Sequence, residues 1–268
     1  MTLNCVDAAR TMASRDGIVS AKRVEHALSR AFRCRRLRAV VLKISSPGGT
    51  ASESALMHRR IDALKRHVQS KNRRKKRSTQ DAVRPEVIAW IDDVCTSGGY
   101  YAACAADVVW AAPCALIGSI GVISRSFGYA KQLRMLGVER RVLASGNAKA
   151  GLDPFLPVGK DVEARERKVL EDLHAEFVRA VEASRGSKLD PKLAADIAAK
   201  ADAHAFPYTS RGWVAQIQPL RYVTRATRAK RGDGLFDGSV HAARTAKDLG
   251  LIDAVCEDHL METLKRRY

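Results

Sequence analysis

A serine followed by two glycines, directly after an apolar run, is the first feature of the sequence that could do chemistry. The run VIAWIDDV at residues 87–94 leads into TSGG at residues 96–99. A nucleophilic serine needs an exposed oxygen, a turn free of obstructing side chains and backbone N–H donors for a developing oxyanion. Ser97 fits these needs, with the Gly98 N–H as one donor. An ordinary helix N-cap serine also fits, and this segment taken alone favours that interpretation.

A second glycine turn follows another apolar run. Residues 37–44 (LRAVVLKI) lead into SSPGG at residues 45–49. Proline and paired glycines form a tight turn that leaves backbone N–H groups exposed. The N–H groups of Gly48 and Gly49 could supply the other oxyanion donor or hold the backbone of a substrate. A plain strand-to-helix turn is the alternative, and this segment taken alone favours it.

A nucleophilic serine also needs a base, and two kinds of residue could serve. The seven histidines fall on predicted helices or in a polar segment, and none adjoins a glycine turn or the end of a predicted strand. A Ser-His-Asp arrangement therefore has no local support, although triads assemble from distant residues. Lys149 lies among small residues in SGNAKAG at 145–151, where desolvation would favour a neutral amine. A loop lysine taken alone is more typical of an exposed surface.

The elements that must position these turns alternate between strands and helices. Short apolar runs predict strands at 37–44, 87–94, 108–112, 117–123, 140–144 and 252–255. Apolar residues at helical spacing predict helices at 18–33, 52–67, 100–106, 126–136, 161–185, 192–203 and 239–249. This alternation indicates a layered α/β fold. Both glycine turns follow buried strands, and active sites gather at such strand ends.

The positive charge of the chain is concentrated in two segments. The 268 residues include 47 Lys+Arg and 29 Asp+Glu, which gives a formal net charge of +18. Residues 70–84 and 204–234 carry basic runs, and we interpret them as a basic loop insertion and a second basic insertion. Such runs are typical of solvated loops, and less often they contact an anionic membrane surface or another polyanion.

Composition and cysteine spacing restrict the class of protein. Hydrophobic residues make up 46% and charged residues 28%, which excludes a collagen-like or wholly disordered chain. No apolar stretch reaches the roughly 18 residues that a membrane helix needs. The six cysteines show no CxxC pair and no metal-ligand spacing. We therefore expect no cofactor, and either a reducing compartment or membrane association through partners.

Several sequence blocks, in order and at matching spacing, resemble the signal peptide peptidase A (SppA, protease IV) family. The glycine turns contribute SPGG at 46–49, after VVLKI, and TSGGYYAACAAD at 96–107. The further blocks are GSIGVI at 118–123, LGV at 136–138 through SGNAK at 145–149 to PF at 154–155, ASRG at 183–186 and GLID at 250–253. The resemblance covers about residues 18–200 and 235–256.

This resemblance implies a fold, an activity and a role for each candidate residue. The family consists of serine endopeptidases with a Ser–Lys dyad and a ClpP/crotonase-like layered fold, with repeated β-β-α/βαβ units and a helical C-terminal part. By position, Ser97 corresponds to the nucleophile and Lys149 to the general base. Ser119 corresponds to the hydroxyl that holds the lysine amine. Gly98 and the Gly48-Gly49 turn correspond to the oxyanion-binding backbone.

The resemblance also implies substrates, domain organisation and assembly. The expected substrates are extended hydrophobic peptides such as signal-peptide or membrane-protein remnants. Residues 1–268 are expected to form a single peptidase module without the leading strand and membrane anchor of some family members. Family members of this length form rings in which the serine and lysine of neighbouring subunits meet, so we expect a homo-oligomer ring.

Two other functions remain open from the sequence. A crotonase-like acyl-CoA enzyme would share the fold, but it needs an acidic residue near the thioester, and neither glycine turn contains a convincing carboxylate. A non-catalytic, basic scaffold protein that binds polyanions would account for the two basic insertions. Turnover of a thioester insensitive to Ser97→Ala would favour the first, and steeply salt-dependent nucleic-acid binding the second.

Overall fold

Six strands and seven α-helices form the described part of the chain. The computed structural model describes residues 19–34, 37–75, 85–146, 148–190, 192 and 235–267. The strands are β1 (Ala39–Ser46), β2 (Glu86–Thr96), β3 (Val108–Ala111), β4 (Leu116–Gly118), β5 (Val240–Ala242) and β6 (Ala254–Val255). The helices are α1 (Ala21–Ala31), α2 (Ala51–Lys75), α3 (Gly98–Ala103), α4 (Ala130–Met135), α5 (Lys160–Arg185), α6 (Ala243–Asp248) and α7 (Leu260–Arg267).

The long strand β2 organises a mixed sheet. It pairs in parallel with β1 on one side, and on the other with β3 along its first half and with β4 at its end. β6 extends the sheet in parallel beyond β3, and β5 pairs antiparallel with β4. Ser46 is in register with Cys95, and Thr96 with Gly118. The ends of β1, β2 and β4 therefore lie side by side at one edge of the sheet.

Apolar packing covers both faces of this sheet, as the continuous apolar run in β2 requires. On one face, α1, α2, α3 and α5 contribute to a core that includes Leu28, Ile61, Tyr100 and Phe177. On the other face, Leu260 of α7 packs with a smaller cluster that includes Ile88, Trp90 and Trp110. The α/β class predicted from the sequence is confirmed.

Several predicted element bounds are wrong. Helix α2 continues to Lys75, so the first residues of the 70–84 run are helical rather than a loop, because lysine and arginine are good helix formers and no glycine or proline interrupts them. Residues 76–84, the 204–234 insertion and all but residue 192 of the predicted 192–203 helix lie outside the described residues.

Two further predictions fail because strands form only where a sheet edge is available. The apolar run at 140–144 pairs with no strand among the described residues and is exposed. The segment at 239–249, predicted as one helix, is divided into β5 and α6, since β4 offers an edge to which residues 240–242 pair. The predicted strand at 117–123 contracts to Leu116–Gly118.

Residues 122–159, named the arm here, leave the sheet and expose many large apolar side chains. Phe127, Met135, Leu136 and Leu143 are between 74% and 103% exposed. Tyr129 and Phe155 contact each other within the arm, with ring centroids 5.6 Å apart, but both remain more than a third exposed. The described residues of one copy therefore leave the apolar surface of the arm uncovered. In the described chain, none of the helices is both long enough and apolar enough to cross a membrane.

Candidate active site

Ser97 lies in a strained turn between β2 and α3. Its φ of +50° falls in the left-handed region that residues with a side chain rarely adopt. The Ser97 N–H donates to the Gly118 carbonyl at 2.8 Å, and the Tyr101 N–H donates to the Ser97 carbonyl at 2.9 Å. The Ser97 hydroxyl makes no capping hydrogen bond, so Ser97 does not act as an ordinary N-cap. Strain of this kind concentrates at functional sites.

The Gly48-Gly49 turn lies directly against Ser97. A Cβ at Gly48 would come within 2.9 Å of Ser97 Cβ and 3.2 Å of Ser97 Oγ, and φ at Gly48 is +113°. Only glycine suits this position, because both the close approach and the backbone conformation exclude a side chain. The two turns are joined by a hydrogen bond that Thr96 Oγ1 donates to the Pro47 carbonyl at 3.1 Å.

Backbone amides from both turns gather near the Ser97 hydroxyl. A Cβ at Gly48 would lie 3.0 Å from the Gly98 nitrogen, and a Cβ at Gly98 would lie 3.1 Å from the Gly49 nitrogen. The Gly48 N–H donates to Ser46 Oγ at 3.2 Å, whereas the Gly49 N–H has no hydrogen bond to a described residue. The arrangement can present two converging N–H donors to an oxygen that develops negative charge beside Ser97.

Ser119 occupies a second left-handed position, one residue after the carbonyl that accepts the Ser97 N–H. Its φ is +52°, and its N–H donates to the Ser239 carbonyl at 2.6 Å. The end of β4 therefore holds Ser97 through Gly118 and is itself held by the segment that leads into β5. Ser119 is partly buried. The structure thus brings Ser97, Gly98, Gly48, Gly49 and Ser119 to one edge of the sheet.

Lys149 lies apart from this group, in the arm. Its side chain is exposed, and its Nζ forms no ion pair or hydrogen bond with another described residue. It lines an open cleft of about 740 Å³ together with Arg140, Asp153 and Phe155. None of the residues of the Ser97 and Gly48-Gly49 turns lines that cleft. In one copy of the chain, the base expected from the resemblance does not contact the nucleophile.

His241 adjoins the site, contrary to the expectation that no histidine lies beside a glycine turn. It belongs to β5 rather than to a helix, and its Cδ2 would lie 3.3 Å from a Cβ at Gly118. Burial lowers the pKa of His241, and its buried Nε2 has no partner among the described residues. The Asp237-Gly238 pair marks a turn just before β5, where Asp237 accepts the Ser239 N–H at 2.8 Å. In the sequence, this Asp-Gly pair is the signal from which a strand at residues 240–242 could have been predicted.

Two buried thiols lie near the Ser97 turn but are poor nucleophiles. Burial raises the pKa of Cys104 to about 12, and burial also raises the pKa of Cys95. Both thiols are therefore protonated at neutral pH, and only the thiolate is nucleophilic. No group of three or more His, Cys, Asp or Glu side chains that could hold a metal ion occurs within the described ranges.

Comparison with known proteins identifies a family for part of the chain. Residues 79–206 match peptidase family S49. This match spans just under half of the 268 residues. The S49 match includes Ser97, Ser119 and Lys149, whereas the Gly48-Gly49 turn precedes it. The resemblance to the SppA family stated from the sequence is therefore confirmed.

Similar proteins include named proteases and one protein with a different name. Serine protease SPPA, chloroplastic, from Arabidopsis thaliana is 35% identical over 112 residues, which is 42% of this chain and 14% of that protein. Probable protease SohB from Buchnera aphidicola subsp. Schizaphis graminum is 29% identical over 135 residues, 50% of this chain and 34% of the relative. Na(+)/H(+) antiporter NhaA from Brucella abortus (strain 2308) is 35% identical over 242 residues, 83% of this chain and 30% of that protein. The chain spans about a third or less of the length of these relatives.

Proposed function

We propose that this chain is a serine endopeptidase that uses a Ser–Lys dyad formed by Ser97 and Lys149. The observation that carries the proposal is the strained Ser97, whose hydroxyl makes no capping hydrogen bond and lies against the Gly48-Gly49 turn. The match of residues 79–206 to peptidase family S49 and the similarity to proteins named SPPA and SohB support the same reaction class. The mixed α/β sheet is compatible with the ClpP/crotonase-like layered fold that the resemblance implies.

The proposed reaction passes through an ester intermediate. Ser97 Oγ attacks the peptide carbonyl carbon while its proton moves to a neutral Lys149 amine. The N–H of Gly98 and that of Gly48 or Gly49 stabilise the tetrahedral oxyanion. The C–N bond then breaks, and the leaving amine takes the proton from Lys149. The same lysine amine next removes a proton from water, which attacks the ester carbonyl carbon. The bond between that carbon and Ser97 Oγ then breaks, and Ser97 Oγ takes the proton back from the lysine.

Assembly supplies the contact that one copy lacks. Lys149 is exposed and lies on an arm whose apolar side chains are uncovered, and exposed apolar patches of this kind mark interaction surfaces. In the proposed homo-oligomer ring, the arm of one copy packs on the next and places its Lys149 beside the neighbour's Ser97. Burial between copies would favour the neutral amine that the reaction needs. Ser119 would then hold that amine through its hydroxyl.

The proposed substrates are extended hydrophobic peptides, such as signal-peptide or membrane-protein remnants. Residues 119–129 follow the active-site edge without pairing to any described strand, and an extended peptide could align with such a backbone. Exposed apolar side chains of the same segment, Ile123 and Phe127, would favour hydrophobic peptide side chains. The basic segments could additionally attract an anionic membrane surface or another polyanion.

Complementation between two inactive variants tests the proposal. Ser97→Ala and Lys149→Ala should each abolish hydrolysis of an extended hydrophobic peptide and labelling by an active-site serine probe, while circular dichroism stays unchanged. If the dyad forms between copies, mixed rings should regain up to about a quarter of wild-type activity, because random neighbours pair an intact serine with an intact lysine that often. Near-normal turnover by Lys149→Ala would show that the dyad is wrong.

The pH dependence provides a second test of the lysine base. The rate should rise with pH as one amine loses its proton, since only the neutral amine can accept the Ser97 proton. A flat rate profile between about pH 6 and pH 10 would contradict a neutral-lysine base.

A further inference from the structure

We infer that Ser54 is a positioning residue that sets the separation between the oxyanion-binding amides of the two glycine turns. The inference rests on the proposed peptidase reaction, because it assigns to Ser54 the task of holding Gly98 at a fixed distance from the Gly48-Gly49 turn. Ser54 lies near the start of α2, only 4% exposed, and it is one of the few buried polar residues of the described chain.

The side chain of Ser54 packs directly against Gly98. A Cβ at Gly98 would overlap Ser54 Oγ and would lie 3.1 Å from Ser54 Cβ. The Gly98 Cα therefore rests against the hydroxymethyl group of Ser54. The same Cβ position is 3.1 Å from the Gly49 nitrogen. Ser54 therefore packs beside the contact between Gly98 and the Gly48-Gly49 turn.

A hydrogen bond fixes Ser54 to the residue that follows the Gly48-Gly49 turn. Ser54 Oγ donates to the Thr50 carbonyl at 2.8 Å, and the Ser54 N–H donates to the same carbonyl at 3.1 Å. This local bond satisfies a buried hydroxyl that would otherwise be costly to bury. It also directs the hydroxyl proton away from Gly98, so Ser54 contacts Gly98 as a rigid spacer and not as a donor to substrate.

The spacing matters because an oxyanion donor acts over a narrow range of distance. Donors must lie about 2.7–3.1 Å from the oxygen of the transition state. Without the Ser54 oxygen, Gly98 can settle toward α2 and carry its N–H out of that range. The donors bind the oxyanion of the transition state much more strongly than the carbonyl oxygen of the bound substrate. Displacing the Gly98 N–H should therefore lower kcat and leave KM unchanged.

The test compares three variants of the assembled protein on one peptide substrate. Ser54→Ala should lower kcat by roughly 10-fold to 100-fold with KM unchanged. It should also lower the affinity for a peptide aldehyde inhibitor by a similar factor, because the aldehyde forms an oxyanion when Ser97 adds to it. Ser54→Thr should restore kcat to within about threefold of wild type, because a threonine hydroxyl can make the same bond to the carbonyl four residues earlier. Ser52→Ala, at an exposed position of the same helix, should behave as wild type.

The outcomes separate this inference from the proposed function. If Ser97→Ala is inactive but Ser54→Ala keeps wild-type kcat and aldehyde affinity, the inference fails and the peptidase reaction stands. If Ser97→Ala retains activity, the proposed reaction itself is wrong. An equal loss in Ser54→Ala and Ser54→Thr, accompanied by a matching loss of thermal stability, would show that Ser54 only supports the fold and would overturn the positioning role.

Discussion

Replacing Gly48 by alanine tests the geometry around Ser97 most directly. The added Cβ would lie 2.9 Å from Ser97 Cβ and 3.0 Å from the Gly98 nitrogen. Ordinary carbon contacts fall at about 3.5–4.0 Å, so the two turns must separate by roughly 0.6–1 Å to admit it. The φ of +113° adds a backbone cost of about 1–3 kcal/mol for a residue with a side chain.

The separation of the turns should lower the rate of a protein that still folds. A displacement of about 1 Å in a catalytic arrangement can cost about 100-fold in rate, which corresponds to about 2.7 kcal/mol of transition-state stabilisation. Gly48→Ala should therefore lose at least about 100-fold in kcat/KM and in the rate of labelling by an active-site serine probe. Urea unfolding should show a loss of about 1–3 kcal/mol, which leaves the protein folded in the assay.

Two matched alanine variants separate strain from steric overlap. Gly186 also has a positive φ, +46°, but a Cβ there meets nothing within 4 Å, so Gly186→Ala should lose stability without losing activity. Gly49 has open space and ordinary backbone, so Gly49→Ala should lose no more than about tenfold. The reasoning would be refuted if Gly48→Ala kept kcat/KM within threefold of wild type while Gly186→Ala was destabilised.

Three further predictions concern stability and assembly. Asp253→Asn should cost about 3–5 kcal/mol in urea unfolding, because the buried Arg185 then loses the carboxylate 2.8 Å away; a loss below about 1 kcal/mol would contradict this. Burial lowers the pKa of His58, so the unfolded chain takes up the proton first and stability should fall as pH drops below about 6.5. In His58→Gln, the melting temperature should therefore fall less steeply as the pH is lowered. The same dependence of melting temperature on pH in the variant and the wild type would contradict this prediction. Leu143→Asp should dissociate the proposed oligomer, as measured by light scattering, without changing circular dichroism, whereas intact oligomers would argue against an arm-mediated interface.

The central part of the fold was predictable because it follows from burial. Strands β1 and β2 are covered on both faces, so they read as continuous apolar runs in the sequence. The glycine turns were recognisable as strand ends for the same reason. The contact between the two turns depends on the strand register that pairs Ser46 with Cys95. Neither segment alone contains the information that sets this register.

The remainder of the site depends on contacts that a local pattern does not contain. β5 is only three residues long, too short for alternation to distinguish it from a helix, so the position of His241 beside Gly118 was missed. Ser54 also carried no signal, since a buried serine in a helix resembles an exposed one in sequence. The resemblance implies that Lys149 is the base, but only the structure shows that Lys149 is exposed and lines a cleft to which the Ser97 turn contributes no residue.

The division of the site between the sheet and the arm has a mechanistic consequence on this proposal. Strand pairing and the contacts of Thr96, Ser46 and Ser54 complete the nucleophile turn and the amide donors within one copy. The proposed base, Lys149, lies on the arm, whose apolar surface would be covered by another copy in the proposed ring. A single folded chain then holds Ser97 in its strained position but leaves the hydroxyl protonated and weakly nucleophilic. Association would therefore activate the peptidase without rearranging the sheet, since the one group still required is the neutral amine that the neighbouring copy brings.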